Sequence, residues 1–426
     1  MVLRLTKNLH TRVVDEKQRI IGLYNPIRGH HFAFIKEEVL NHLKEGNVQE
    51  TKELESLIEN NFLVQNDFSE EEYFNLFKKN LDREIHLMYL LLTQDCNLIC
   101  GYCFEDLDKR VKGKMSKEVA DKAIDYFFNV SKPKRKIIFY GGEPLMDKEV
   151  FLSAVRKIKS KETEYKDATE ISMVTNGTLI DDEIAIFIKE NKVKTAISID
   201  GPQKIHDRAR KNISGRGSYN NAIRGYNLLK DIGANPSISC TVGKHNTYNL
   251  GEVADFFINE LKPCGIGFNF MIEKELSENS LGIDIENATK AVLSASEMLR
   301  KNGIYEDRIM RRLDSIINNK VHLKDCAAYG NQIVVRYDGI IGPCHAFSAS
   351  EKYFETEVLS KDVSIDNNSF EIWANRSQLN NPDCKDCAAI LLCGGGCAYN
   401  SFINTGDLNS KDTQICTHAK MLIDYV

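Results

Sequence analysis

The stretch HLMYLLLTQDCNLICGYC, residues 86–103, joins an apolar run of strand length to a loop with closely spaced cysteines. Their pattern, Cys96-x3-Cys100-x2-Cys103, places three thiolates on one short loop. Three thiolates can ligate three irons of a [4Fe–4S] cluster and leave the fourth iron open. Zinc suits this spacing poorly, because zinc sites take four ligands and use C-x2-C pairs. The loop therefore predicts an iron–sulfur site directly after a strand.

The composition is that of a soluble globular protein. The chain has 426 residues, a net charge of −5 and 42% hydrophobic residues, which fits two or three domains and gives no electrostatic case for nucleic acid. Its N-terminus has no signal-peptide core and no apolar run approaches a membrane span, so we expect a cytoplasmic protein without membrane contact. In that reducing compartment, clustered cysteines are expected to be metal ligands, whereas the scattered Cys240 and Cys264 are not.

Apolar runs of strand length alternate with amphipathic helical stretches from residue 86 onward. They occupy residues 86–93, 136–140, 170–175, 194–199, 237–242 and 265–271. The alternation predicts an α/β fold with a parallel sheet and outer helices, one of them capped by Ser116. Six units are too few for a closed eight-stranded barrel, so we predict a partial (β/α)6 barrel. Ligands are expected at the carboxyl ends of its strands.

Three short motifs follow the second, third and fourth predicted strands: GGEP (141–144), TNGT (175–178) and SIDG (198–201). With the cysteine loop, this order resembles the radical SAM superfamily, and the resemblance extends over residues 86–426. It implies that the open iron chelates S-adenosylmethionine (SAM). An electron delivered through this iron then cleaves the C–S bond of SAM and yields a 5′-deoxyadenosyl radical. It also implies an electron donor such as flavodoxin or ferredoxin.

The resemblance carries over a set of SAM contacts. They are Tyr102, Gly142, Glu143, Asn176, Ser198, Arg210 and Val242. Tyr102 matches the residue beside the adenine, and Glu143 can accept hydrogen bonds from the SAM ammonium. Arg210 suits the SAM carboxylate. For Asn176, Ser198 and Val242, the alternative of ordinary loop and core residues stays open.

A second group of cysteines lies near the C-terminus. It reads Cys326-x17-Cys344, then Cys384-x2-Cys387-x5-Cys393-x3-Cys397-x18-Cys416. This spacing is similar to the SPASM domain of radical SAM peptide and protein modifiers, which implies three [4Fe–4S] clusters in the whole chain. The implied ligands of an outer auxiliary cluster are Cys384, Cys387, Cys393 and Cys416, and those of an inner one are Cys326, Cys344 and Cys397. The inner cluster then has either an open iron or a fourth ligand such as Cys264 or His345.

The first 80 residues contain no cysteine. RIIGLY (19–24) and HHFAFI (30–35) predict two strands joined by a turn, and two short helices and a strand at 61–64 follow. This order is similar to the winged-helix leader-recognition domain of ribosomal peptide modifiers, which binds a precursor peptide as an added strand. A purely structural extension is the alternative.

The predicted domains follow from these patterns. They are a leader-recognition domain at 1–80, a radical SAM partial barrel at 86–275, a helical linker at 276–320 and a SPASM domain at 321–426. Together they predict a maturase that forms a thioether between a cysteine sulfur and a carbon of a ribosomally made peptide. Alternatives are a maturase that cross-links two carbons, and a sulfatase maturase that makes formylglycine. In the latter type an aspartate follows the cysteine that matches Cys344, whereas here His345 does.

Overall fold

The computed structural model describes residues 3–46, 52–79, 81–104, 113–272, 283–350 and 352–426. The strands are β1 (Leu3–Leu5), β2 (His10–Asp15), β3 (Ile20–Asn25), β4 (His31–Lys36), β5 (Leu63–Gln65), β6 (Leu87–Leu91), β7 (Lys136–Tyr140), β8 (Glu170–Thr175), β9 (Lys194–Ser198), β10 (Ser237–Val242), β11 (Gly265–Phe270), β12 (Tyr305–Glu306), β13 (Gln332–Val335), β14 (Ile340–Gly342) and β15 (Thr356–Glu357). The α-helices are α1 (Glu37–Lys44), α2 (Lys52–Glu59), α3 (Glu70–Lys79), α4 (Lys117–Val130), α5 (Lys148–Tyr165), α6 (Asp182–Glu190), α7 (Gln203–Ala209), α8 (Tyr219–Asp231), α9 (Leu250–Phe256), α10 (Ile285–Lys301), α11 (Asp307–Ile317), α12 (Asn368–Ala374), α13 (Ala398–Thr405) and α14 (Thr413–Tyr425). Within these described ranges, no helix is long and apolar enough to cross a membrane.

The chain divides into two compact units. The sheet unit comprises residues 82–308 and 327–375, and the cysteine-rich unit comprises residues 1–81, 309–326 and 376–426. Both units are assembled from segments that are distant in the sequence, so they differ from the four predicted domains. Sequence patterns find boundaries between consecutive segments, whereas these units result from packing between remote ones.

A ten-stranded sheet forms the centre of the sheet unit, in the order β12-β11-β10-β9-β8-β7-β6-β13-β14-β15. The six predicted strands are β6 to β11, which lie parallel and in chain order. The α/β prediction is thus confirmed. Ser116 caps α4 as predicted, because its Oγ accepts a hydrogen bond from the N–H of Val119 (3.1 Å).

Most of the described part of the stretch predicted as a helical linker at 276–320 packs against the parallel sheet and its helices. Helix α10 packs against α9, and β12 adds a parallel strand to the free side of β11. Val292 and Leu299 of α10 are fully buried. The sequence obscured this role because polar residues outnumber the apolar ones that form the buried stripe. Residues 273–282 of the predicted barrel and linker lie outside the described ranges.

The predicted SPASM domain at 321–426 also divides in the structure. Strand β13 pairs in parallel with β6, with Gln332 opposite Leu87, so residues 327–375 belong to the sheet unit. The remaining part, 376–426, lies in the cysteine-rich unit. Pairing between remote strands has no local sequence signature, which is why this division was not predicted.

The N-terminal segment contains the strands and helices predicted from its sequence, together with β1 and β2. Strands β2, β3 and β4 form an antiparallel sheet, and β1 pairs with β5. Ile27 and Phe74 of this segment pack in one apolar core with Leu379, Ile390 and Leu391 near the C-terminus. Residues 1–81 are therefore part of the cysteine-rich unit and share its core.

We predict that Phe74→Ala destabilises the protein by about 3 kcal/mol, because it opens a cavity in this shared core. Leu76→Ala on the same helix is the matched control and should change the free energy of unfolding by less than about 0.5 kcal/mol. Phe74 is 4% exposed, whereas Leu76 is 60% exposed. Urea unfolding followed by circular dichroism measures both variants, and equal losses would contradict a shared core at Phe74.

Candidate active site

The cysteine loop (96–103) follows β6 at the carboxyl edge of the parallel sheet. Two backbone hydrogen bonds hold it against the segment around the end of α7. The N–H of Ile99 donates to the carbonyl of Lys211 (2.8 Å), and the N–H of Gly101 donates to that of Ala209 (2.9 Å). All three cysteines of the loop are partly exposed, so their thiols are fixed in place but remain accessible.

The sulfur of Cys96 accepts two weak hydrogen bonds from nitrogen donors. They come from the N–H of Leu98 (3.4 Å) and from Nδ2 of Asn176 (3.7 Å), which follows β8. Asn176 Nδ2 also donates to Oδ1 of Asn97 (2.8 Å). N–H groups directed at sulfur are typical of iron–sulfur ligands, so the surroundings of Cys96 suit a cluster. The structure places Asn176 against the cysteine loop, and its contact with SAM stays a prediction.

Gly142 lies where the loop after β7 meets the loop after β6. Its N–H donates to the carbonyl of Thr93 (3.0 Å), and the N–H of Glu143 donates to that of Asp95 (2.9 Å). A Cβ at position 142 would lie 2.0 Å from the carbonyl oxygen of Asp95. Glycine is therefore required for the close approach of two loops.

Glu143 is fully buried and connects the loops after β7 and β8. Its carboxylate accepts hydrogen bonds from the hydroxyl of Thr175 (2.6 Å) and from the N–H groups of Asn176 (2.7 Å) and Leu145 (3.1 Å). Burial raises the pKa of Glu143 above its ordinary value, although these hydrogen bonds oppose the rise. Since protein donors already contact both oxygens, Glu143 has a structural role whether or not it also binds SAM.

The buried carboxylate of Asp200 joins the cysteine loop, the segment that carries Arg210 and strand β10 at this edge. It accepts hydrogen bonds from the hydroxyl of Tyr102 (2.6 Å), from Nε of Arg210 (3.0 Å) and from the N–H of Thr241 (3.0 Å). Burial alone would raise the pKa of Asp200, but the charge of Arg210, together with the contact to His245, holds it well below its ordinary value. Asp200 is therefore ionised, and it fixes the positions of Tyr102 and Arg210.

Aromatic contacts complete this arrangement. The guanidinium of Arg210 lies 5.2 Å from the centre of the Tyr102 ring. The rings of His245 and Tyr102 are stacked, with their centres 5.4 Å apart. Nη1 of Arg210 makes no hydrogen bond within the described part of the chain, which leaves a donor for a ligand carboxylate. The structure thus brings the predicted residues Tyr102 and Arg210 together.

Three residues of this network were not predicted from the sequence: Asp200, His206 and His245. His206 accepts from the N–H of Asp200 (3.4 Å), and burial lowers its pKa to about 4. A signal existed for two of them, because Asp200 stands in the SIDG motif and His206 follows it closely. Nothing in the local sequence of His245 indicates its role.

Ser198 and Val242 are the last residues of β9 and β10, so both lie at the carboxyl edge as expected. Ser198 is partly exposed, whereas the side chain of Val242 is fully buried in the core. Val242 therefore packs as a core residue, which was its alternative interpretation. Contact of either residue with SAM stays a prediction.

His345, the residue after Cys344, lies inside a group of aromatic rings. Its ring is 4.8 Å from that of Tyr89, 4.9 Å from that of Tyr140 and 5.7 Å from that of Phe104, which follows the cysteine loop. Burial lowers the pKa of His345 to about 4, so the imidazole is neutral. Its Nδ1 has no hydrogen-bond partner among the described residues. His345 and its aromatic neighbours are far apart in the sequence, so their packing could not be predicted from local sequence patterns.

Four cysteines of the cysteine-rich unit lie near one another. They are Cys384, Cys387, Cys393 and Cys416, the set predicted for the outer cluster. Burial raises the pKa of Cys393 to about 12 and that of Cys384 to about 11, and the neighbouring thiols contribute to both shifts. Close thiolates without a cation repel each other, so iron would relieve this repulsion, and the donor set fits a cluster. No group of three or more His, Cys, Asp or Glu side chains in the described ranges converges on a single ion position; a four-iron cluster instead needs thiolates at separate corners.

Two cysteines of the predicted inner set also belong to this unit. Burial raises the pKa of Cys397 to about 12, and Asp412 and Cys326 add to the shift, so the two thiols are neighbours. Cys344 belongs to the sheet unit. Cys264, the alternative fourth ligand, precedes β11 at the amino end of the parallel strands, and its thiol donates to the carbonyl of Asn235 (3.1 Å). That position lies opposite the edge that carries the cysteine loop.

Comparisons with known proteins agree with this site. The profile of the radical SAM superfamily matches residues 90–257, which contain the cysteine loop and the Asp200 network. An uncharacterized protein of Methanocaldococcus jannaschii is 32% identical over 52% of this chain and 72% of its own length.

Two further curated relatives have named activities. A cysteine-type anaerobic sulfatase-maturating enzyme of Clostridium perfringens is 25% identical over 72% of this chain and 86% of its own length. A radical SAM cyclopropyl synthase of Paramaledivibacter caminithermalis, TigE, is 24% identical over 96% of this chain and 86% of its own length.

Among solved structures, Streptococcus suis SuiB bound to its precursor peptide SuiA is similar in fold. The TM-score is 0.56 at 15% identity, and the match covers 97% of this chain and 99% of SuiB. The cysteine loop, the motifs that follow successive strands and these similarities lead to one conclusion. This chain belongs to the radical SAM superfamily.

Proposed function

We propose that this protein is a peptide maturase that forms a thioether between a cysteine sulfur and a carbon of a ribosomally made peptide. The observation that carries the radical chemistry is the contact of the cysteine loop, through Tyr102, with Asp200 and Arg210 at one edge of the sheet. When bound there, the cluster and SAM supply the 5′-deoxyadenosyl radical.

The residues of the chain hold and orient SAM in this proposal. Asp200 keeps the guanidinium of Arg210 in one position, so that its Nη1 can bind the SAM carboxylate. The ring of Tyr102, held in place by the stacked ring of His245, is the aromatic group beside the cysteine loop that can contact the adenine. His345 and its aromatic neighbours exclude water from the space beside the cysteine loop.

The N-terminal sheet offers a surface on which a peptide could bind, which supports a peptide substrate. In the antiparallel sheet β2–β3–β4, the outer strands pair only with β3 among the described residues, so each has an edge free to add a strand. Val14 and Phe34 are more than half exposed on this sheet, and Gly22 lies between them without a side chain. A peptide added there would cover an apolar surface. SuiB, with a similar fold, is bound to a precursor peptide, which also supports a peptide substrate.

The predicted inner set has only three cysteines for a cluster of four irons, and the iron left open favours a thioether over other products. A cluster with one open iron would bind a substrate thiol, which deprotonates it and fixes its position. Formation of the bond removes two hydrogens from the peptide and keeps its sulfur. Because the inner set includes Cys344 of the sheet unit and Cys397 of the cysteine-rich unit, this ligand set stays a prediction.

Formylglycine formation is the second candidate. It is favoured by the similarity to the Clostridium perfringens sulfatase-maturating enzyme, which spans 86% of that relative. Against it, His345 is neutral and follows Cys344, where the sulfatase-maturating pattern has an aspartate. The two candidates differ in the fate of the substrate sulfur, since only the thioether keeps it.

The structure of the modified peptide distinguishes thioether formation from formylglycine formation. We expect a short cysteine-bearing peptide to be encoded beside this protein, and co-expression should yield a peptide that has lost two hydrogens and resists thiol alkylation. Tandem mass spectrometry locates the new bond. A product that has lost its sulfur and reacts with a hydrazide would contradict the thioether and support formylglycine.

We predict that replacing Cys96, Cys100 and Cys103 by Ala abolishes formation of 5′-deoxyadenosine from SAM and dithionite. Anaerobically reconstituted protein should then hold about eight irons instead of about twelve. The control is Cys264→Ala, because this exposed cysteine lies at the amino end of the parallel strands, opposite the edge that carries the cysteine loop. Continued SAM cleavage in the triple variant would refute the assignment of the loop.

We predict that Asp200→Asn weakens SAM binding by on the order of tenfold, because the amide no longer fixes the Arg210 guanidinium. The iron content should remain that of the parent, since Asp200 is not a ligand. Asp182→Asn, an exposed position on α6, is the control. Equilibrium dialysis of reconstituted protein measures the affinity, and an unchanged value would remove Asp200 from the SAM site.

A further inference from the structure

Tyr24 belongs to β3 of the N-terminal sheet, yet its side chain packs among the C-terminal cysteines. It is 2% exposed and shares an apolar core with Leu392, Cys393, Ala419 and Ile423, and Cys387 packs at the margin of that core. Helix α14, which carries Cys416, supplies two of these residues. The N-terminal sheet therefore contributes a side chain to the core that contains Cys393 and borders Cys387 of the outer set.

Hydrogen bonds fix the orientation of the Tyr24 hydroxyl. Nε2 of His30 lies 2.9 Å from the carbonyl oxygen of Lys320, which can only accept, so Nε2 carries the hydrogen. Nδ1 of His30 is then an acceptor, and the Tyr24 hydroxyl donates to it at 2.7 Å. The imidazole stays neutral, since burial lowers the pKa of His30. The hydroxyl proton is thus engaged by His30 and is withheld from the thiolates.

Packing brings the phenol and two of the thiols into the same buried core. Tyr24 shares that core with Cys393, and Cys387 borders it. The oxygen of Tyr24, the negative end of the O–H dipole, therefore lies in the same apolar surroundings as these ligands. The surroundings are dry, so an interaction between them is weakly screened.

We propose that Tyr24 sets the reduction potential of the outer auxiliary cluster, and that it acts by lowering this potential. The proposal rests on the proposed function, which assigns a cluster to Cys384, Cys387, Cys393 and Cys416. Reduction adds negative charge to the cluster, and a nearby oxygen whose proton points elsewhere disfavours that charge. Hydrogen bonds, burial and solvent exposure are the protein's means of tuning such clusters.

The test uses full-length protein in which Cys96, Cys100 and Cys103 are replaced by Ala, so that only auxiliary clusters remain. Reconstituted parent and Tyr24→Phe variant are titrated with dithionite and followed by electron paramagnetic resonance. Tyr226→Phe is the matched control, because its buried hydroxyl donates to the carbonyl of Leu261 in the sheet unit.

We expect Tyr24→Phe to keep the iron content of the parent and to shift the midpoint potential of one cluster upward. The second cluster and the Tyr226→Phe variant should keep the parent values. His30→Leu removes the acceptor of the hydroxyl, so that its proton can turn toward sulfur, and it should shift the same cluster in the same direction. Circular dichroism melting checks that each variant is folded.

Three results would overturn the proposal, and they are distinguishable. If the auxiliary clusters are present and Tyr24→Phe leaves both potentials unchanged, or if Tyr226→Phe shifts them equally, Tyr24 has no specific role. If the parent binds no iron at Cys384, Cys387, Cys393 and Cys416, as judged by an unchanged iron content when these are replaced by Ala, the proposed cluster itself is wrong.

Discussion

At the carboxyl edge of the sheet, the buried carboxylate of Asp200 accepts hydrogen bonds from the cysteine loop through Tyr102, from Arg210 and from Thr241. Burying an unpaired carboxylate costs several kcal/mol, and only a complete set of donors offsets that cost. The loop after β6, the segment that carries Arg210 and strand β10 must therefore meet in one arrangement. That constraint positions the cysteine loop, the ring of Tyr102 and the guanidinium of Arg210 relative to one another.

The close approach of Gly142 to Asp95 imposes a second constraint on the same edge. Because no Cβ fits there, the loops after β6 and β7 touch through their backbones, and Glu143 then reaches across to the loop after β8. The GGEP motif is thus explained by packing before any ligand is considered. A cofactor that binds at this edge meets loops that are already held in place.

The cysteine-rich unit is organised differently, since its described strands form only small antiparallel sheets and its cysteines lie in turns or, for Cys416, on α14. Segments from both ends of the chain supply its apolar cores, as Ile27 with Leu391 and Tyr24 with Cys393 illustrate. The predicted N-terminal recognition domain and the last part of the predicted C-terminal cluster domain therefore lie in one unit and share its cores. Changes in the N-terminal sheet will therefore affect the surroundings of the C-terminal cysteines.

By itself, the sequence determined what depends on local patterns: the strands β6 to β11 from apolar periodicity, the cap at Ser116 and the cysteine loop from its spacing. It also gave Tyr102 and Arg210, because the family motif carries them. The structure alone decided the role of Asp200 and His245, the surroundings of His345, the pairing of β13 with β6 and the packing of Tyr24. Each of these is a contact between remote segments, and burial and hydrogen bonding select such contacts only when the whole chain is folded.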